Sequence, residues 1–152
     1  MAYRYDIAMK NKLILALLFA GVPVFSQSAD PGQANKKLVL DFFRVVFEAQ
    51  NADAAKDYLS EDYVQHNPLV VTGRSGFINY FKPKWKSPKP VQPDLKEPPD
   101  QVVAEGDLVV LMWKEKKPEP KDRSKTYDAF WFDMFRVKDG KLVEHWDNAT
   151  KK

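Results

Sequence analysis

The sequence predicts an α+β domain, with helices packed on one face of a curved, mostly antiparallel sheet. Three observations predict it. Apolar residues recur at helical spacing between residues 34 and 81, and they alternate at strand spacing between 102 and 147. Six prolines, from Pro83 to Pro99, separate the two halves. Helices and strands segregated in this way form two layers around one core. A sheet rolled around helices leaves a cone with one open mouth, and small-molecule sites commonly occupy such mouths.

Residues 1–28 stand apart from that domain. Lys10 and Lys12 precede an apolar run from Leu13 to Phe25, and Ser26 and Ser28 sit at the minus-three and minus-one positions before Ala29. This is the pattern of a cleavable secretory signal peptide. The run is too short to persist as a membrane anchor. Cleavage after Ser28 leaves residues 29–152 as the mature domain, secreted or periplasmic. Met1 and Met9 are both available as the start.

From Ala34 to Gln50, Leu38, Leu40, Phe42, Phe43, Val45, Val46 and Phe47 fall mostly at the spacing of a long amphipathic helix, with Lys36, Lys37, Asp41, Arg44 and Glu48 outside. Asn51 or Asp53 caps a shorter helix reaching Leu59. Tyr63 to Asn67 is extended and stops at Pro68, which forces the residue before it away from helix. After Gly73 comes a third helix, Ser75 to Phe81. Pro83 to Pro99 is an extended surface loop. Strands then run from Val102 to Glu105 and from Leu108 to Lys114, joined at Gly106-Asp107. The loop from Lys117 to Lys125 leads into a last hairpin, Phe130 to Asp147.

That hairpin, FWFDMFRVKDGKLVEHWD, carries the main chemical signal. Asp139-Gly140 is a strong two-residue turn signal and pairs Val137 with Leu142. Regular alternation then sets Phe135 opposite Glu144 and Asp133 opposite Trp146. It groups Trp131, Asp133, Phe135, Leu142, Glu144 and Trp146 on one face, and Met134, Arg136, Val143 and His145 on the other. A one-residue bulge would swap these faces. A carboxyl group walled by aromatics has its charged form disfavoured, which suits an acid/base catalyst. Asp133 is therefore the candidate catalyst and His66 its candidate partner. Two roles are open to His66: assisting that proton transfer, or bonding a backbone carbonyl at the Asn67-Pro68 turn. Tyr63 and Gln65 share one side of their strand and Val64 and His66 the other. Trp113, Trp131, Phe135 and Trp146 are candidate pocket walls.

Composition excludes several classes. At 152 residues there is room for one core. The absence of cysteine removes disulfides, thiol catalysis and thiolate metal sites. Lys+Arg 24 against Asp+Glu 21 gives a net charge of +3, and removing residues 1–28 brings the rest close to neutrality, which argues against nucleic acid as a partner. A metal would need His66, His145 and a carboxylate from Asp133, Glu144 or Asp147 to converge, and regular alternation parts His145 from Asp133. No metal or other cofactor is expected.

Several motifs together resemble one family. YVQHNP, Tyr63 to Pro68, precedes Gly73-Arg74-Ser75-Gly76-Phe77 at a helix start, and AEGDLVVLMW and FDMFRVKDGKLVEHWD follow in order. This arrangement resembles the SnoaL-like polyketide cyclases of the nuclear transport factor 2-like superfamily. The resemblance covers most of Lys36 to Thr150 and implies a cone-shaped α+β barrel, a homodimer, and a pocket for a hydrophobic small molecule. It implies a metal-independent cyclase or isomerase, in which a pocket aspartate, here Asp133, is general acid/base in an intramolecular aldol condensation. A histidine on the preceding strand assists in that family; here Met112 falls at about that place. Tyr63, Gln65 and Met112 join the aromatic residues as expected substrate contacts. The rival readings are a non-catalytic periplasmic ligand-binding protein and a dimeric accessory protein.

Overall fold

The computed structural model describes residues 30–151. The expected signal peptide, residues 1–28, lies outside the described residues. Among those described, no helix is long and apolar enough to cross a membrane. Helix α1 (Pro31–Phe42) starts at Asp30, whose carboxylate accepts from the Gly32 N–H at 2.9 Å, with Pro31 in the first turn where its missing N–H is harmless. The helix continues as a π-helical stretch, Phe43–Glu48. There the Ala49 N–H reaches back to the Arg44 carbonyl at 3.3 Å and the Asn51 N–H to the Val46 carbonyl at 2.9 Å. Such wide turns often mark functional sites, because they shift side chains off the regular helical faces.

The expected second helix is a shorter 3-10 segment, Ala52–Asp57, capped by the Asn51 side chain on the Ala54 N–H. Leu59 and the polar residues Ser60, Glu61 and Asp62 belong instead to strand β1 (Leu59–Gln65), which therefore begins earlier than the sequence suggests. Leu59 and Tyr63 supply the buried face that pulls this polar run into the sheet. Helix α2 (Arg74–Phe81) enters from Gly73, whose φ of 89° suits glycine. Gly76 lets that helix lie against the chain at Val71, since a Cβ there would stand 2.3 Å from the Val71 oxygen.

The remaining strands are β2 (Gln101–Glu105), β3 (Leu108–Pro118), β4 (Thr126–Lys138) and β5 (Lys141–Asp147). They form one curved, unclosed sheet in the order β1-β5-β4-β3-β2. All neighbours are antiparallel except β1, which runs parallel to β5. The β3–β4 ladder extends further than expected, to Pro118 and Thr126, leaving a short loop between them. Asp139 and Gly140 both have positive φ, 51° and 71°, as the two-residue hairpin turn requires. Helices cover the inner face of the sheet. Phe42 is fully buried at their meeting point, its ring 5.8 Å from both Phe77 and Phe135. Truncating it to alanine would cost about 3–5 kcal/mol.

One departure in the sheet decides the site. Val137 pairs with Leu142 as the turn predicts, but the ladder then shifts by one residue. Arg136 faces Glu144, Phe135 faces His145, Met134 faces Trp146 and Asp133 faces Asp147. The expected pairs Phe135–Glu144 and Asp133–Trp146 are thereby corrected. A bulge leaves one residue unpaired and inverts the inside–outside assignment of everything beyond it on that strand. His145 consequently points inward beside Asp133, while Glu144 and Trp146 point outward.

Candidate active site

Strand β4 aims Trp131, Asp133 and Phe135 into the space between sheet and helices. Leu111 and Trp113 of β3 pair with Asp133 and Trp131 on the same face. Next to them on β5 are His145 and Asp147, and Gln65 of β1 is in register with His145. The helical side adds Phe42, Phe43, Phe47, Phe77 and Phe81. Together these residues enclose a cavity of about 880 Å³ with an aromatic wall and a polar floor. That size suits a drug-sized organic molecule.

The floor is a connected hydrogen-bond network. Asp133 and His145 are 7 % and 6 % exposed, and they are the buried charged or polar residues among those described. Asp133 Oδ1 lies 2.8 Å from His145 Nε2, and its Oδ2 accepts from the Trp131 indole N–H at 3.1 Å. His145 Nδ1 lies 2.7 Å from Gln65 Oε1, which also accepts from the Asn67 backbone N–H at 2.8 Å. The Asn67 side-chain amide donates to Asp147 Oδ2 at 2.5 Å, and the Ala149 N–H reaches Asp147 Oδ1 at 2.9 Å. Burial, reinforced by the nearby charges of Asp133 and then Asp147 and opposed by a hydrogen bond with the Gln65 side chain, pushes the Tyr63 phenol well above its ordinary pKa. Tyr63 is therefore a neutral hydrogen-bonding group in the floor.

The mouth is strapped by the proline-rich segment. Lys89, Pro90, Gln92, Leu95, Lys96 and Glu97 line the cavity from this side. The Glu48 carboxylate accepts from the backbone N–H groups of Lys96 and Glu97, both at 3.0 Å. Arg44 donates to the Gln92 carbonyl at 2.8 Å, and the Lys89 N–H to the Ala49 carbonyl at 2.7 Å. The indole N–H of Trp113 holds the Glu97 carbonyl at 3.3 Å. Arg44 and Glu48 both come from the π-helical stretch, so the irregular turn serves the cavity entrance. Without regular secondary structure of its own, the strap depends on these side-chain anchors.

A family described as the SnoaL-like domain matches residues 39–145, well over half of the chain. The chain belongs to the SnoaL-like family. Solved structures similar to this SnoaL-like chain include TsrD from Streptomyces laurentii, 21 % identical, covering 76 % of this chain and 87 % of TsrD with a TM-score of 0.51. A candidate polyketide cyclase from Acidithiobacillus ferrooxidans is 18 % identical, covering 75 % of this chain and 86 % of that one, with a TM-score of 0.52. A nuclear transport factor 2-like protein of unknown function from Mesorhizobium loti is 17 % identical, covering 82 % and 97 %, with a TM-score of 0.53. At these identities the likeness shows the fold. No curated protein matches.

The SnoaL-like cavity brings together Asp133, Tyr63, Gln65, Trp113, Trp131 and Phe135 from the residues expected of it. His66, Met112 and Trp146 do not line it. His66 follows directly on β1 and turns away from the cavity, with its side chain 44 % exposed. Its ring stacks on Trp146 at 5.1 Å and its Nε2 lies 2.9 Å from Glu144 Oε1. Trp146 is thus corrected from pocket wall to outer-face platform. Met112 pairs with Phe132 on that outer face, and Leu111 takes the inward place beside Asp133.

His145, Asp147 and Asn67 were not expected in the floor. Regular alternation assigns His145 to the outer face, and the β5 bulge reverses this. One signal for it was present: Leu142 and Val143 are consecutive apolar residues, where strict alternation would place a polar one. The bulge also removes the reason given against a metal. Asp133, His145 and Asp147 offer ligand atoms within 4.8 Å of one another. Each of these groups has a hydrogen-bonding partner in the structure.

Proposed function

We propose that this SnoaL-like chain binds an apolar, oxygen-bearing small molecule and moves a proton beside its carbonyl group, as a metal-independent cyclase or isomerase. Asp133 is the general acid/base, and His145, not His66, assists it. The supporting observation is the buried Asp133–His145 pair on the floor of an aromatic cavity. An ionisable pair taken out of water at this depth is expensive unless fully hydrogen-bonded, and here both members are. Tyr63 supplies a neutral O–H that can steady a developing alkoxide.

The non-catalytic carrier is the second reading. Leu111 favours it, because the position beside Asp133 on the preceding strand holds no titratable group. One experiment separates the two. Apolar carbonyl compounds would be screened for binding through Trp113 and Trp131 fluorescence, and for product by mass spectrometry. Catalysis requires Asp133→Asn to keep binding while turnover falls by about 10²–10⁴-fold. Ligands that bind native protein and are never converted would establish the carrier instead.

The proposal also includes export after cleavage following Ser28 and assembly as a homodimer. N-terminal sequencing of protein recovered from the cell envelope would show whether cleavage occurs. Sedimentation equilibrium would read one or two copies, and the exposed Val103, Phe130 and Phe132 support the second.

A further inference from the structure

The floor network fixes more than position, because its acceptors constrain where the protons are. Both ring nitrogens of His145 face oxygen atoms, Gln65 Oε1 at 2.7 Å and Asp133 Oδ1 at 2.8 Å. Amide oxygen and nitrogen can exchange places by a flip, so the orientation of Gln65 must be decided by its partners. The Asn67 backbone N–H, 2.8 Å away, is a donor only. It requires the oxygen of Gln65 at that point, and the same oxygen faces His145. A carbonyl oxygen has two lone pairs and no proton. Nδ1 must therefore be the donor to Gln65.

We propose that Gln65 is a positioning residue of the acid–base pair: pinned by the Asn67 N–H, its carbonyl oxygen holds a proton on His145 Nδ1 and leaves Nε2 and Asp133 to share a single further proton. The inference deepens the reading of Asp133 as acid/base, and rests on it for its catalytic meaning. Two states follow, a carboxylic acid bonded to neutral imidazole, and a carboxylate bonded to imidazolium. They interconvert when one proton moves between Asp133 Oδ1 and His145 Nε2 along the existing hydrogen bond. Neither state changes the net charge of the pair, which lets it sit at 6–7 % exposure. Trp131 donates to the other carboxylate oxygen in both states.

This role differs from the substrate contact expected of Gln65. Two donors, Asn67 N–H and His145 Nδ1–H, already occupy both lone pairs of its oxygen. The other groups near the pair are Tyr63 from β1 and Asp147 from β5, with aliphatic Leu111 from β3 and aromatic Phe135 from β4 and Phe42 from α1. None of these makes a hydrogen bond to Nδ1, so Gln65 alone sets the tautomer.

The test is spectroscopic and needs no substrate. The chain has two histidines, so long-range 15N–1H spectra of the full chain, assigned with His145→Gln, give the protonation of each His145 nitrogen separately. Native protein is expected to show Nδ1 bearing hydrogen. Gln65→Leu should lose that fixed signal and show exchange between tautomers, while Gln65→Glu, which keeps an acceptor oxygen, should retain it. A native spectrum with a bare Nδ1 would overturn the proposal, and so would Gln65→Leu with an unchanged Nδ1 signal. If the leucine variant does not fold, the native spectrum and the glutamate variant still decide. Because turnover is not read, failure to find a substrate would count against the catalytic reading and leave this result standing.

Discussion

The molecule carries the same pair of groups twice, once inside the sheet and once outside. Inside, His145 meets Asp133 at 2.8 Å, and Trp131 donates its indole N–H to the carboxylate. Outside, His66 meets Glu144 at 2.9 Å with its ring stacked on Trp146, and Arg136 bridges Glu144 to Asp107. Each cluster has a histidine, a carboxylate and a tryptophan; His145 lies on β5, and His66 follows directly on the neighbouring β1. Only surroundings separate them. The inner imidazole side chain is 8 % exposed and the outer one 44 %. Water screens the outer pair and competes for its hydrogen bonds, whereas the inner pair has only the protein to satisfy it. Residue types alone therefore do not define a reactive site here; the face of the sheet does.

Applying one substitution to both histidines gives the largest contrast. His145→Leu removes the partner of a buried carboxylate and leaves Trp131 as its remaining donor. Uncompensated burial of that kind should destabilise the domain by about 3 kcal/mol or more. His66→Leu removes a half-exposed partner, and the loss should stay within about 1 kcal/mol. Urea unfolding midpoints of the two variants check this directly. Equal losses would mean that burial does not distinguish the clusters.

The same contrast explains what was legible from the sequence. The α+β architecture, the Asp139-Gly140 turn and the Val137–Leu142 pair all follow from local rules, and each is found. Tyr63 and Gln65 also share a face as alternation says, and both line the cavity although the β1–β5 register shifts between Leu59 and Val64. Local rules signalled the bulge after Leu142 only through the adjacent apolar Leu142 and Val143, and regular alternation passes over it. One extra residue moved His145 inside and sent Glu144 and Trp146 outside. The strap was equally hidden: six prolines announce an extended segment, but the Glu48 and Arg44 anchors that draw it over the cavity are roughly fifty residues away in sequence.

The smallest expected effect lies in the outer cluster and carries a definite pH signature. The hydrogen bond from His66 holds the Glu144 carboxyl below its ordinary pKa; partial burial opposes this and the Arg136 guanidinium reinforces it. A carboxyl depressed in the folded state stabilises the fold above its unfolded pKa, about 4.3, and loses that contribution as pH falls through the folded value. Native protein should thus exceed Glu144→Gln by no more than about 1 kcal/mol at pH 7, with the gap closing below about pH 4. Paired urea titrations at the two pH values measure the gap itself, so protonation of other carboxylates cancels between native and variant. A gap as wide in acid as at neutrality would show that the outer cluster stabilises through packing of Glu144 against its neighbours, not through its charge.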